Sequence, residues 1–189
     1  MKRTSIPPTV AVVALLAAVG GVALAAQDKY TLKVPGGLAF SEFRGYDDWQ
    51  TVAVSQNGSL IETILGNPAM IKAYKAGIPG NGKPFPDGSK IVKLLWTTKT
   101  ITAPPFSAST PDTVAGPLTR VEVIEKDGKR FADTHGWGYG DFDYDATSDT
   151  FKPGTTADTP PQGHDTKCGA ACHTLAASKD YIFTGYAKR

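Results

Sequence analysis

The sequence predicts an α+β domain that is predominantly antiparallel β-sheet with a few short helices. Several stretches alternate apolar and polar residues with the period of a strand, and one internal stretch carries a full set of helix signals. Glycine and proline are frequent, at 20 and 14 of 189 residues, which points to many turns between short elements. Strands followed by a short C-terminal helix are typical of the α+β class.

The N-terminal half contains the first strands and the best helix signal. It is assigned in order to an extended lead-in at 30–46, a strand at 50–55, a strand at 60–65 and a helix at 69–76. Asn67 suits the helix cap and Pro68 suits its first turn, because proline needs no hydrogen-bond partner there. Gly77 then ends the helix.

The C-terminal half is richer in loops. It is assigned in order to a loop at 78–88, a strand at 90–100, a loop at 103–117, a strand at 118–126, an aromatic and glycine-rich stretch at 130–145, a polar loop at 147–166 and a short helix. The clearest strand places Val121 and Val123 on one face and Glu122 on the other. Asp127-Gly128, directly after it, is a turn signal.

The most informative motif is Cys168-Gly-Ala-Ala-Cys172-His173, which holds the only two cysteines of the chain. A histidine directly after the second of two nearby cysteines is typical of covalent c-type haem attachment. Each thiol can add to a haem vinyl group, and the imidazole of His173 is then placed to ligate the iron. The motif has three residues between the cysteines instead of the usual two. It predicts haem c, attached at Cys168 and Cys172, with His173 as the metal ligand.

Two other uses of these cysteines stay open at this stage. Cys168 and Cys172 are four residues apart, so a helical turn brings them within range of a strained local disulfide. A zinc site is the weaker alternative, because two thiolates and one imidazole leave a ligand missing and the chain has no second cysteine pair.

The N-terminus has the pattern of a secretory signal peptide. Lys2 and Arg3 form a basic start, residues 10–25 are apolar, and Ala23-Leu24-Ala25 offers small residues for cleavage. The apolar core is short for an uncleaved membrane anchor, which needs ~20 residues. We therefore expect a signal peptide at 1–26, a single domain at 27–189, and a periplasmic location. That location agrees with the haem motif, since c-type haem is attached outside the bacterial cytoplasm.

Composition excludes several other classes of function. The net charge is only +2, and no basic run is interleaved with aromatic residues, so nucleic acid is not an expected partner. After removal of the signal peptide, no apolar stretch is long enough to span a membrane.

The second axial position of the iron is expected to be open. Methionine is a common ligand there, and apart from the initiator the chain has only Met70. The other imidazoles, His135 and His164, lie in glycine-rich and polar loops and are interpreted as solvated. The haem motif also lies at the C-terminus, behind a strand-rich domain, whereas small electron-transfer cytochromes are largely helical and carry it near the start. An open site favours gas binding or catalysis over electron shuttling.

From about Gly45 to Tyr186, the chain resembles the cytochrome P-460 family and its relatives, the cytochromes c′-beta. The resemblance is carried by residues 46–49, 66–74, 85–93 and 121–131, and by Cys172-His173 with residues 181–184. The Phe85-Pro-Asp-Gly88 turn before a lysine-bearing strand is its most specific part after the haem motif. The resemblance implies a mostly β-sheet haem protein, exported to the periplasm and usually a homodimer. Some members oxidise hydroxylamine and some bind nitric oxide.

The resemblance also implies roles for two charged residues. In hydroxylamine-oxidising members a lysine is covalently linked to the haem macrocycle, and Lys93 matches its position. On the residues alone, Lys93 is interpreted as a solvated lysine of an alternating strand, and only the resemblance makes the cross-link an equal alternative. Lys90 points to the other side of that strand. Glu122 matches a position near the distal pocket, where a carboxylate can accept protons from a bound amine. Its alternative is a surface glutamate.

One position departs from the family pattern. Where a distal arginine is expected, around residues 61–63, the chain has Glu62. This departure weakens the transfer of activity more than the transfer of fold.

Three functions are compared on these grounds. The leading hypothesis is a mono-haem c-type cytochrome that acts on hydroxylamine or nitric oxide and passes electrons to a partner cytochrome. The alternative is a non-catalytic gas-binding or electron-transfer cytochrome on the same scaffold. The third is a haem-free exported domain with a disulfide, which would be colourless.

Overall fold

The chain folds around one six-stranded antiparallel sheet in which every strand pairs with its neighbour in sequence. The computed structural model describes residues 27–35, 38–154 and 169–187. The sheet and its two short helices are β1 (Gln50–Asn57), β2 (Leu60–Gly66), α1 (Pro68–Lys75), β3 (Lys90–Ile101), β4 (Asp112–Lys126), β5 (Trp137–Asp145), β6 (Thr150–Pro153) and α2 (Gly169–His173). This confirms the predicted fold class, a predominantly antiparallel sheet with few short helices.

Helix α1 begins and ends as its sequence signals predict. The side chain of Asn67 accepts a hydrogen bond from the backbone N–H of Met70 at 2.9 Å, and Pro68 is the first helical residue. Gly77, with a φ of 85°, carries the chain away in the left-handed region that glycine tolerates best. Asn67 also donates to the carbonyl of Gly88 at 2.8 Å and accepts from the N–H of Lys90, so the cap ties α1 to the start of β3.

The two faces of the sheet are covered by different parts of the chain. The face covered by α1 and residues 169–187, here called the α1 face, is packed by Val52, Ile64, Met70, Ile71, Tyr74, Phe85, Ile91, Trp137, Tyr139, Ala170 and Ile182. The opposite face, here called the N-terminal face, is packed by Val34, Leu38, Phe40, Phe43, Tyr46, Leu65, Val92, Val121, Val123, Phe131 and Phe142. Because Lys93 lies opposite Glu122 in the register, both project to the α1 face, while Val121 and Val123 are buried on the other.

Three segments differ from their predicted form. The lead-in predicted as extended at 30–46 contains one short 3₁₀ helix, Phe40–Phe43, and two more, Lys29–Thr31 and Tyr46–Asp48, overlap its ends. Capping explains the helix at Phe40–Phe43, since the carboxylate of Glu42 accepts from the N–H of Ala39 at 2.8 Å. Strand β6 lies within the predicted loop at 147–166, where its four residues are too few to show a period.

Strand β4 begins six residues before the predicted start at residue 118. The additional residues were not predicted as strand, because they include Gly116 and Pro117, and both residue types disfavour strands. The register shifts around Trp96, where an irregularity accommodates the proline. A Cβ on Gly116 would lie 2.7 Å from Oγ1 of Thr97, so the close pairing requires glycine there.

The helices in the described ranges are all too short or too polar to cross a membrane. The predicted signal peptide, residues 1–26, lies outside those ranges.

Candidate functional site

Helix α2 places the cysteine–histidine motif against the α1 face. Its first residue, Gly169, lies so close to Tyr139 that an added Cβ would come within 2.3 Å of the ring, which fixes α2 on β5. Ala170 is buried, whereas Cys172 is exposed. The thiol of Cys172 therefore faces outward, next to His173. Its predicted companion, Cys168, lies outside the described residues.

His173 is held by one hydrogen bond and two aromatic rings. Its Nδ1 lies 2.5 Å from the carbonyl oxygen of Tyr181. A carbonyl only accepts, so Nδ1 carries the proton and Nε2 keeps its lone pair for a metal. The rings of Tyr139 and Phe183 pack on the imidazole, each with its centroid 4.9 Å away.

The surroundings of His173 favour its neutral form. Burial lowers the pKa of the imidazole, and the positive charge of Lys93 lowers it further, against the hydrogen bond to Tyr181 and the charge of Glu122. Neutral imidazole is the form that ligates a metal. Tautomer and charge state thus both suit the predicted role of His173.

Lys93 stands between two carboxylates on the α1 face. Its Nζ lies 2.6 Å from Oε2 of Glu122 and 3.7 Å from Oε1 of Glu62. The other oxygen of Glu62 accepts from the hydroxyl of Ser55 at 2.9 Å. The result is a chain of polar groups across β1, β2, β3 and β4, in the order Ser55, Glu62, Lys93 and Glu122.

Four of the five predicted site residues lie on one side of the sheet. Lys93 and Glu122 both act electrostatically on His173, an effect that requires them to be near the imidazole. Cys172 adjoins His173 in sequence and is exposed. The structure thus brings Lys93, Glu122, Cys172 and His173 together, while Cys168 lies outside the residues it describes.

Lys90 lies on the opposite face, as its spacing from Lys93 predicts. Its Nζ is 3.2 Å from Oε1 of Glu125 and donates to the backbone carbonyl of Glu42 at 2.8 Å. Arg130 also binds Glu42. Against the cost of burial, the hydrogen bond from Arg130 and the N–H of Ala39 lower the pKa of Glu42 to about 2. This cluster of charges holds the N-terminal face together, away from His173.

Neither of the other described ligand candidates points to the site. Met70 is fully buried in the core of the α1 face, with its Cγ against Gly66. His135 is exposed, as predicted, and stacks on the ring of Tyr181 with centroids 4.4 Å apart. His164 lies outside the described residues.

The donors and the surface around His173 fit a haem. A porphyrin supplies four nitrogen ligands itself, so one imidazole with a free Nε2 is a sufficient protein donor. Near His173 in sequence, Leu175 is 85% exposed and Phe183 is 50% exposed, which is high for side chains of this type. An apolar macrocycle beside His173 and the Cys172 thiol would cover such surface. A separate cleft of about 1040 Å³, lined by residues such as Tyr74, Ile78 and Tyr186, does not include His173.

Sequence reasoning missed several groups that hold these residues. Glu62 was seen only as an acid in place of an arginine, but strand register would have found it: it lies two residues from Ile64, the partner of Lys93. The carbonyl of Tyr181 could not be found, because a backbone acceptor leaves no side-chain signal. The contacts of Tyr139 and Phe183 with His173 depend on long-range packing.

Comparison with known proteins identifies a family for most of the chain. Residues 43–184, most of the chain, match the model of the family described as Cytochrome P460. No curated protein gives a significant match to the chain.

Proposed function

Because the chain belongs to the cytochrome P460 family, which implies a haem cofactor, we propose that it is a periplasmic mono-haem c cytochrome that oxidises hydroxylamine or converts nitric oxide. The haem is attached at Cys168 and Cys172, and His173 ligates its iron. One observation supports the proposal most strongly: the imidazole of His173, with Nε2 free to bind a metal, lies on the same face of the sheet as the Lys93–Glu122 ion pair. A partner cytochrome accepts the electrons, and the protein is a homodimer.

The cofactor supplies iron that binds a small nitrogen species and exchanges electrons. The residues of the chain supply the rest of the chemistry. Tyr181 holds the proton of His173 on Nδ1, so that Nε2 is presented to the metal in one orientation. Cys172, exposed at the end of α2, is accessible to a vinyl group.

Glu122 is the proposed proton acceptor. Oxidation of an amine releases protons, and a base must lie within hydrogen-bond reach to take them. The carboxylate of Glu122 is partly exposed and bound to Lys93 at 2.6 Å, so it can receive a proton and release it to solvent. Glu62 and Ser55 continue the polar chain on the far side of Lys93, where Glu62 supplies a second carboxylate near the ammonium.

Lys93 is the proposed site of a covalent bond to the macrocycle. Its support is the position of the lysine on the α1 face, together with the family. The binding of its Nζ by two carboxylates instead favours the second candidate, a gas-binding or electron-transfer cytochrome without the cross-link.

Haem attachment is tested by extraction. Protein made with a c-type maturation system is expected to keep its haem through acid–organic treatment, because thioether bonds survive it. Cys172→Ala is expected to lose more haem than Cys168→Ala, since Cys172 adjoins the ligand. Complete loss from the unmodified protein would refute covalent attachment, and a colourless product would favour the haem-free disulfide domain. Equal retention in the two variants would contradict the ranking.

Catalysis is tested at Glu122. We expect Glu122→Gln to slow hydroxylamine oxidation about 10²-fold or more, because general-base catalysis contributes 10²–10⁴-fold. Nitric oxide affinity should change little, since ligand binding needs no proton transfer. Turnover is measured with an artificial electron acceptor and affinity by spectroscopic titration.

Glu125→Gln is the matched control, because it removes a carboxylate from the same strand but on the N-terminal face. Its turnover should remain near that of the unmodified protein. If the unmodified protein binds nitric oxide but does not turn over hydroxylamine, the gas-binding candidate replaces the leading one.

A further inference from the structure

The backbone that holds His173 is strained at two consecutive residues. Asp180 and Tyr181 have φ angles of 49° and 65°, in the left-handed region that costs non-glycine residues energy. Together these two residues form a kink in the backbone, here called the kink, which turns the carbonyl of Tyr181 back toward Nδ1 of His173. Two such residues in a row persist only where surrounding contacts fix them.

The contacts that fix the kink converge on Lys126. Its Nζ lies 2.9 Å from Oδ1 of Asp180, and the other oxygen of Asp180 accepts from the N–H of Phe85 at 2.7 Å. The ion pair is well buried, with the side chains of Lys126 and Asp180 exposed by 9% and 12%. The ammonium also lies 5.0 Å from the centroid of the Trp137 ring.

A second set of contacts connects Lys126 with the ring of Tyr181. Nζ of Lys126 donates to the backbone carbonyl of His135 at 3.1 Å. The imidazole of His135 stacks on the Tyr181 ring, with an angle of 8° between the planes. Lys126 therefore holds the backbone of the kink through Asp180 and its side chain through His135.

We propose that Lys126 is a positioning residue for His173, acting through Asp180 and His135 on the carbonyl that orients the imidazole. The inference rests on the proposed role of His173 as the iron ligand. A hydrogen bond that the distant N–H of a ligating imidazole donates to an acceptor raises the basicity of the imidazole and fixes its orientation. Loosening the kink weakens that bond, so the imidazole becomes a poorer donor and the ferric state is less favoured.

The test uses the haem-loaded protein and two variants. Lys126→Met removes the ammonium that binds both Asp180 and the carbonyl of His135. Asp180→Asn removes the negative charge of Asp180 but keeps a side-chain oxygen that can accept from the N–H of Phe85. We expect both to shift the iron–imidazole stretching band of the reduced protein to lower frequency and to raise the reduction potential. Resonance Raman spectroscopy and potentiometric titration measure these effects independently of turnover.

Lys90→Met is the matched control. Lys90 forms an ion pair with Glu125 at 3.2 Å, with side-chain exposures of 18% and 11%, but on the N-terminal face. Its loss should destabilise the fold without moving the band or the potential. The inference is overturned if folded Lys126→Met and Asp180→Asn keep the band and potential of the unmodified protein, or if Lys90→Met moves them equally. Failure of the proposed function has a different signature: His173→Ala would leave the spectrum unchanged.

Discussion

Replacing His173 with alanine is expected to abolish normal axial ligation while the haem stays covalently tethered. The imidazole is held by Tyr181 and packed by Tyr139 and Phe183, whereas the other described histidine, His135, stacks on the ring of Tyr181. Changes to groups that merely support a metal ligand cost 10–100-fold in activity or affinity. Loss of the ligand itself should therefore exceed about 100-fold. The ferric absorption spectrum and the turnover rate measure the effect.

Two further variants make the result specific. His173→Gly should recover the ligated spectrum when imidazole is added, because the small ligand can occupy the space left by the ring. Met70→Leu should leave the spectrum almost unchanged, since Met70 is fully buried and the swap nearly conserves volume. An unchanged spectrum in His173→Ala would show that His173 is not the ligand. A marked change in Met70→Leu would indicate methionine ligation and favour electron transfer.

Lys93 is expected to determine the colour of the reduced protein. A lysine–haem bond alters the conjugation of the macrocycle, so the reduced band should lie far to the red of an ordinary c-type spectrum. Lys93→Ala should restore the ordinary spectrum. Lys93→Arg should also restore the ordinary spectrum, although it keeps a cation beside Glu62 and Glu122. This variant therefore distinguishes the effect of losing the covalent bond from the effect of losing the ion pairs.

The control for Lys93 lies on the same strand. Lys90→Ala should keep the red-shifted band, because Lys90 projects to the N-terminal face and binds Glu125. Mass spectrometry of digested protein should also find a haem peptide joined to the segment around Lys93. If the unmodified protein has an ordinary reduced spectrum and lacks this peptide, the cross-link is absent and the gas-binding or electron-transfer candidate is favoured over hydroxylamine oxidation.

Local signals predicted the regular elements well. Asn67 and Pro68 fixed the start of α1, because capping depends on residues adjacent in sequence. The alternation around Glu122 assigned Glu122 to a face opposite Val121 and Val123, as the structure confirms. The start of β4 was missed because a glycine that permits close strand pairing has the same sequence signature as a loop glycine.

The supporting part of the site could not be predicted in the same way. The motif marks His173, but its acceptor is a backbone carbonyl eight residues later. That carbonyl is aimed by an ion pair between Lys126 and Asp180, which are 54 residues apart. Such contacts exist only once the strands are paired, so no local pattern indicates them. Glu62 could have been predicted in part, because correct pairing of β2 with β3 would have placed it near Lys93.

The order of elements along the chain has a consequence for biogenesis. All six strands precede residue 154, and each pairs with its sequence neighbour, so the sheet can assemble from contacts that close short loops. Residues 169–187 contact the rest of the fold through hydrogen bonds such as that of the Tyr74 hydroxyl with the carbonyl of Thr184 and that of the Phe85 N–H with Asp180. Because residues 169–187 follow the six strands of the sheet in sequence, we expect them to dock on a sheet that is already paired. The thiol of Cys172 would then be accessible for the proposed haem attachment before this segment packs against the α1 face.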